Sequence, residues 1–238
     1  ANRCWDKRLK RGIMSEVQVE ILGLFPEEEF ETAMDELDNP KTDGWELFVS
    51  TGDVTIYRLY DESSGLYHYK TWGQVTTVGP EICSQVYVDL DYRKKWDSYC
   101  KILERKECEG KKLLYWQLNF PFPMSNRDYV FGQEYRILEK DGRKHWIVLA
   151  KSMETPSLPE RSGVIRVDRY MQSAVMCTNG NGGTKAFIRY FDNPGGNIPK
   201  WFLNWAAKTA VPHFLKIMTN ACEGYEDYQN QKKKEESS

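Results

Sequence analysis

The sequence predicts a single α+β domain, an antiparallel sheet enclosed by helices from both ends of the chain. Three observations predict it. The chain has 238 residues, enough for one large domain. Between Trp45 and Phe191, short β-branched and aromatic runs alternate with Gly, Asn and Ser turns, and one helical stretch interrupts them. The last element is a broad amphipathic helix. A curved antiparallel sheet closed by such a helix leaves room for an interior cavity.

Pro26-Glu-Glu-Glu-Phe30 opens the first helix, because proline and acids suit a first turn, and Asn39-Pro40 ends it. Hairpins follow, with turns at Thr51-Gly-Asp53 and Ser63-Ser-Gly65. A helix is expected from Pro80 to about residue 98. Strands are then expected at 113–120, 127–138, 143–153, 163–178 and 184–191. Asn179-Gly-Asn-Gly-Gly183 lies between two strands, so it reads as a hairpin turn and not as a phosphate loop, which needs a helix after it. Asn197 and Pro199 start the terminal helix. Ile198, Trp201, Phe202, Trp205, Leu215, Met218, Cys222 and Tyr225 form its apolar face, opposite Lys200, Lys208 and Lys216. Pro212 should kink it. Residues 1–13, with five basic side chains and one acidic, read as a leader or an added segment. Residues 14–228 read as the domain and 229–238 as a charged disordered tail.

Composition narrows the function. The net charge of −2 gives no basic field for nucleic acid, and no apolar run approaches the about 20 residues a spanning helix needs. The six cysteines (Cys4, Cys83, Cys100, Cys108, Cys177, Cys222) are scattered, with no CxxC pair and no glycosylation sequon. A reducing, cytoplasmic compartment with free thiols is expected. His68, His145 and His213 carry no nucleophile or metal signature, so binding is expected in place of catalysis, with no cofactor and no metal.

One stretch raises a sharper question. In Asp91-Tyr-Arg-Lys-Lys-Trp-Asp-Ser-Tyr99, Arg93 and Asp97 share a helix face. An exposed pair of that kind contributes little, whereas Trp96 and the preceding apolar run suggest a helix pressed on a core. The residues alone leave both readings open. Tyr170 and Gln172 lie two apart on one strand, hence on one face, and a Gln sharing a sheet interior with a Tyr suggests a polar ligand or a buried water. Trp116 and Tyr129 fit a plain core equally well.

The strings DYRKKWD (91–97), YWQLNFPFPMSNRDYV (115–130), ERSGVIRV (160–167) and YFDNPGGNIPKWFLNWAAK (190–208) together resemble START domains. The resemblance runs from about Phe25 to Tyr225. It implies a helix-grip fold, a U-shaped antiparallel sheet around the C-terminal helix, enclosing one lipid. Carried over from the phosphatidylcholine-binding member, it implies a choline cage of Trp116, Tyr129 and Tyr170. It also implies phosphate contacts from Tyr87, Arg93 and Gln172, with Asp97 as the arginine's acidic partner. A planar guanidinium suits a phosphate, and aromatic faces suit a quaternary ammonium that has no proton to donate. Trp201, Phe202 and Trp205 become the candidate lid, touching a membrane surface transiently. The implied activity is transfer of phosphatidylcholine between membranes. Alternatives are a lipid-sensing module with regulatory protein partners, or a START domain for another lipid such as a sterol.

Overall fold

The computed structural model describes residues 23–196, 198–199, 201–202 and 211–237. Helix α1 (Glu27–Asp38) is followed by strands β1 (Glu46–Thr51), β2 (Val54–Asp61) and β3 (Leu66–Val75). Helices α2 (Pro80–Val88) and α3 (Leu90–Trp96) come next, then β4 (Cys100–Cys108), β5 (Lys111–Leu118), β6 (Asn126–Lys140) and β7 (Arg143–Ser152). The chain continues through β8 (Val164–Val167), β9 (Tyr170–Thr178), β10 (Thr184–Asp192) and α4 (Val211–Glu236). The strand order is β1-β2-β3-β10-β9-β7-β6-β5-β4, all antiparallel neighbours, and β8 pairs with β6 in parallel. The α+β class and the antiparallel sheet with a C-terminal helix are as expected.

The sheet separates two cores. On its outer face, Phe30, Met34 and Leu37 of α1 recur at helical spacing and pack on Ile147, Leu149, Val175 and Phe187. On its inner face, Val86 and Tyr87 of α2 and Ala221, Cys222 and Tyr225 of α4 close over Tyr135, Val148, Ala174 and Met176. Strand alternation sends successive residues of β7 and β9 to the two cores. Farther along the inner face, a third cluster gathers Leu103, Leu114, Tyr129, Phe131 and Tyr170, with Trp116 and Tyr190 packed against it.

Three departures from the sequence reading have local causes. The helix expected from Pro80 to about residue 98 breaks at Asp89, whose carboxylate caps α3 by accepting from the Tyr92 amide at 2.9 Å and also accepts from the Tyr225 hydroxyl at 3.0 Å. The strand expected over 163–178 divides at Asp168-Arg169, because β9 takes its place beside β7 while β8 pairs with the start of β6. The tail expected to be disordered continues α4 as far as Glu236, where Gln, Lys and Glu all favour helix. The 179–183 segment is a turn between β9 and β10, as expected: Asn179 Oδ1 accepts from the amides of Asn181 and Gly183 at 2.8 and 2.9 Å. Pro212 lies in the first turn of the described α4. Asn197, Trp205, Lys200, Lys208 and the leader lie outside the described residues.

Candidate functional site

Arg93 and Asp97 sit at the end of α3, beneath the inner face of the sheet. Arg93 Nε donates to Asp97 Oδ2 at 3.1 Å, with side-chain exposures of 13% and 1%. The pair is therefore internal and not a surface contact. Asp97 is also the residue that ends α3: its amide donates to the Arg93 carbonyl, and its Oδ1 accepts from the Tyr99 amide at 3.1 Å. The helix end thus holds the carboxylate, and the carboxylate holds the guanidinium plane.

What the rest of that guanidinium does is unusual. Three other deeply placed arginines use all their nitrogens. Arg127 donates to the carbonyls of Pro194, Ser125 and Gly195. Arg136 is held by Glu134 and Glu27. Arg166 grips both oxygens of Asp128 and the Leu158 carbonyl. Among the described residues, Arg93 has a hydrogen-bond partner at Nε alone. Its guanidinium lies 4.7 Å from the Trp116 ring centroid and 5.7 Å from that of Tyr87.

A relay of side chains faces it. On β9 the Tyr170 hydroxyl donates to Gln172 Oε1 at 2.5 Å, so the Gln172 amide nitrogen is turned to donate to the Tyr87 hydroxyl. Tyr87 therefore receives one proton and keeps its own to give away. Burial pushes its ionisation up to about 12 against the opposing pull of Arg93, so it stays a neutral donor.

Trp116 on β5 is directly opposite Tyr129 on β6, and their rings meet at 5.4 Å. Tyr129 meets Tyr170 edge-on, also at 5.4 Å, and Phe131 and Tyr190 reach Tyr170 at 5.2 and 5.9 Å. The structure thus brings Tyr87, Arg93, Asp97, Trp116, Tyr129, Tyr170 and Gln172 into one contiguous site. A cationic fork that lies over Trp116, with the π faces of Tyr129 and Tyr170 beyond it, can hold a ligand with an anionic and a cationic group. Trp201 is 46% exposed, whereas Phe202 is buried with its ring stacked on Phe120 at 5.1 Å.

The START domain family matches residues 27–227. The chain belongs to the START family. Its domain limits fall close to the first and last helices that pack on the sheet. Among curated START relatives, phosphatidylcholine transfer protein from Rattus norvegicus is 49% identical over 203 residues, 84% of this chain and 95% of the relative. The protein of the same name from Homo sapiens is 49% identical over 205 residues, 85% and 96% of the two chains. Human StAR-related lipid transfer protein 7, mitochondrial, is 28% identical over 197 residues, 80% of this chain and 53% of that protein. The crystal structure of human STARD10 superposes with a TM-score of 0.75 at 22% identity, covering 87% of this chain and 84% of that one, a likeness of fold.

Sequence reasoning missed Tyr190 and Asp192 beside the START site. Tyr129 donates to Asp192 Oδ2 at 2.7 Å, and Tyr190 lies two residues before Asp192 on the same face of β10. Their signal was the alternation of β10, where Ala186, Ile188, Tyr190 and Asp192 share one face and an acid ends an otherwise apolar row. Phe122 was also missed; it stands 94% exposed in the loop between β5 and β6.

Proposed function

We propose that this START domain binds one phosphatidylcholine molecule in its interior and exchanges it between membranes. The observation that carries the reading is the guanidinium of Arg93, braced by Asp97 and with its terminal nitrogens unspent. Those nitrogens are not among the buried atoms left without a partner, so they keep accessible surface at which an anionic oxygen can accept two charge-assisted hydrogen bonds. The phosphate is assigned to Arg93, the free proton of Tyr87 and the Gln172 amide, with Asp97 orienting the fork. The choline is assigned to the faces of Trp116, Tyr129 and Tyr170. The 49% identity to relatives named phosphatidylcholine transfer protein supports the same headgroup. A sterol has no anionic group to use Arg93.

These groups recognise charge and do not attack an ester, so the reading is binding without turnover. Moving acyl chains from bilayer to cavity exchanges one apolar surrounding for another. The obstacle is water, at about 0.8 kcal/mol per CH₂ exposed on the way. Docking on a bilayer avoids that exposure. Trp201, half-exposed ahead of the terminal helix, is the assigned membrane contact; Phe202 is assigned with it to the lid, as is Trp205, which lies outside the described residues. No described helix is long and apolar enough to cross a membrane. The cytoplasm is the compartment that the five unpaired cysteines of the described chain fit.

Native mass spectrometry of the protein after incubation with mixed phospholipid vesicles tests the headgroup. A single adduct of phosphatidylcholine mass is expected. Consistent uptake of sterol or ceramide in its place would overturn the assignment and leave the fold untouched.

A further inference from the structure

The acid that ends β10 has no cation of its own. Among the deeply placed carboxylates, Glu36 meets Lys70, Asp97 meets Arg93, Asp128 meets Arg166 and Glu134 meets Arg136. Asp192 makes no salt bridge among the described residues; the Tyr129 hydroxyl donates to it at 2.7 Å, and Tyr190, two residues earlier on the same face of β10, also lowers its pKa. Arg127 is close enough to be felt electrically, but its nitrogens are spent on the carbonyls of Ser125, Pro194 and Gly195. Enclosure by the protein raises the pKa of Asp192 above the ordinary carboxylate value, yet the residue keeps some accessible surface.

A carboxylate is a costly choice for hydrogen bonding alone, since an amide oxygen would accept from two phenols without the desolvation penalty of a charge. What a charge adds is a field. A phenol donating to a carboxylate gains electron density in its ring, and that deepens the negative face a cation sees. The charge itself, just behind the rings and away from bulk water, attracts the same cation directly. Tyr129 and Tyr190 both flank Tyr170, so the carboxylate acts on two rings around one point. Arg93 lacks its full complement of anions at one end of the site, and Asp192 lacks a cation at the other.

We propose that Asp192 is the counter-charge of the lipid's ammonium group, a positioning residue that acts through Tyr129 and Tyr190 to set the preference for a cationic headgroup. The proposal rests on the phosphatidylcholine reading and extends it to specificity. In that role Asp192 and Arg93 make the interior complementary to a zwitterion: Arg93, paired with Asp97, has donors to spare, and Asp192 has no salt bridge among the described residues.

The experiment compares two lipids with identical chains: phosphatidylcholine and its analogue esterified to 3,3-dimethylbutanol, where carbon replaces nitrogen. The analogue keeps the shape and the phosphate and loses the charge. Binding of each from vesicles is measured for the wild-type protein and for Asp192→Asn, which retains an acceptor for Tyr129. Wild type should prefer phosphatidylcholine, and Asp192→Asn should lose at least about tenfold of that preference while holding the analogue as before. That fold-change corresponds to about 1.4 kcal/mol. An unchanged ratio, or an equal loss for both lipids, overturns the proposal. Should Asp192→Asn fail to fold, the Tyr129→Phe/Tyr190→Phe protein removes the hydroxyls through which the charge acts. A reduced ratio is expected there too, and an unchanged one overturns the proposal. Wild-type protein that takes up neither lipid defeats the phosphatidylcholine reading instead, which separates the two failures.

Discussion

Lys70 and Arg93 are both enclosed cations paired with an enclosed acid, on opposite faces of one sheet. On the outer face, Lys70 Nζ donates to Glu36 Oε1 at 2.6 Å and to the Lys41 carbonyl at 2.7 Å, and it lies 4.6 Å from the Trp45 ring centroid. On the inner face, Arg93 makes one hydrogen bond at 3.1 Å and stops. The difference separates polar groups that hold the fold from those available to a ligand. Where α1 is a permanent cover, its pairs are closed by residues of the chain itself, as in Arg136 with Glu134 and Glu27. Arg189 departs from that rule on the outer face, since its Nε has no partner among the described residues. Where the sheet faces its interior, Arg93 and Asp192 stay incomplete in opposite senses of charge.

Removing each cation should break the comparison in different ways. Arg93→Ala should lower phosphatidylcholine affinity by ~3–5 kcal/mol, two or more decades, because phosphate and Asp97 are both left short of a partner. Its unfolding free energy should fall as well, because Asp97, at 1% side-chain exposure, is stranded, so the affinity is read on the folded protein. Arg93→Lys should recover only part of the affinity, since an ammonium cannot offer two parallel donors. A folded Arg93→Ala protein with near-normal uptake would make the pair scaffold.

Lys70→Ala should lower stability alone. It strands Glu36, at 7% side-chain exposure, without a cation. A loss of ~3 kcal/mol in unfolding free energy by denaturant titration is expected, with the affinity of the folded protein unchanged. Coupled loss of stability and affinity would mean that the two faces are not independent.

Trp201→Ala should slow vesicle-to-vesicle transfer several-fold and leave equilibrium binding intact. The indole is half-exposed and meets the Phe202 ring edge-on at 6.0 Å. Proportional loss of both quantities would return the terminal helix to the role of core.

The smallest effect is a pH dependence of the lipid-free protein. Asp192 has its folded value raised by burial, so above the ordinary carboxylate value of 3.8 the folded state binds the proton more tightly than the unfolded chain does. Stability therefore falls as pH rises from the unfolded value through the folded one, and the penalty is absent below both. The groups around it do not titrate in that window: Tyr69, Tyr129, Tyr170 and Tyr190 are all raised by burial, and Arg127 stays charged. Lipid-free Asp192→Asn should melt slightly above wild type at neutral pH, and the gap should close in acid. A gap that does not vary with pH would remove the charge argument.

The site was partly legible in the residues. Arg93 and Asp97 are one helical turn apart, and Tyr170 and Gln172 alternate along one strand, so local periodicity alone places the members of each pair side by side. The string match to START domains supplied Tyr87, Trp116 and Tyr129, which no local rule distinguishes from core aromatics. Asp192 was not legible, because its meaning lies in the want of a salt bridge among the described residues, Arg127 of β6 being spent on backbone carbonyls. The break at Asp89 escaped for a similar reason. Its side chain caps α3 while bonded to Tyr225, more than a hundred residues away in sequence.

The sequence by itself determined the elements and their faces: the 3.6-residue stripe of α1, the alternation of the strands, the Asn179 turn and the apolar face of the last helix. These are local properties, set by backbone sterics and by the spacing of apolar side chains. Only the tertiary structure decided that Arg93–Asp97 is internal while Lys94–Asp91, on the same short helix, is at the surface. It alone decided that Lys70 is satisfied and Arg93 is not. Burial and hydrogen-bond completion depend on which distant strands and helices close over a residue, and a covalent sequence does not state distances between them.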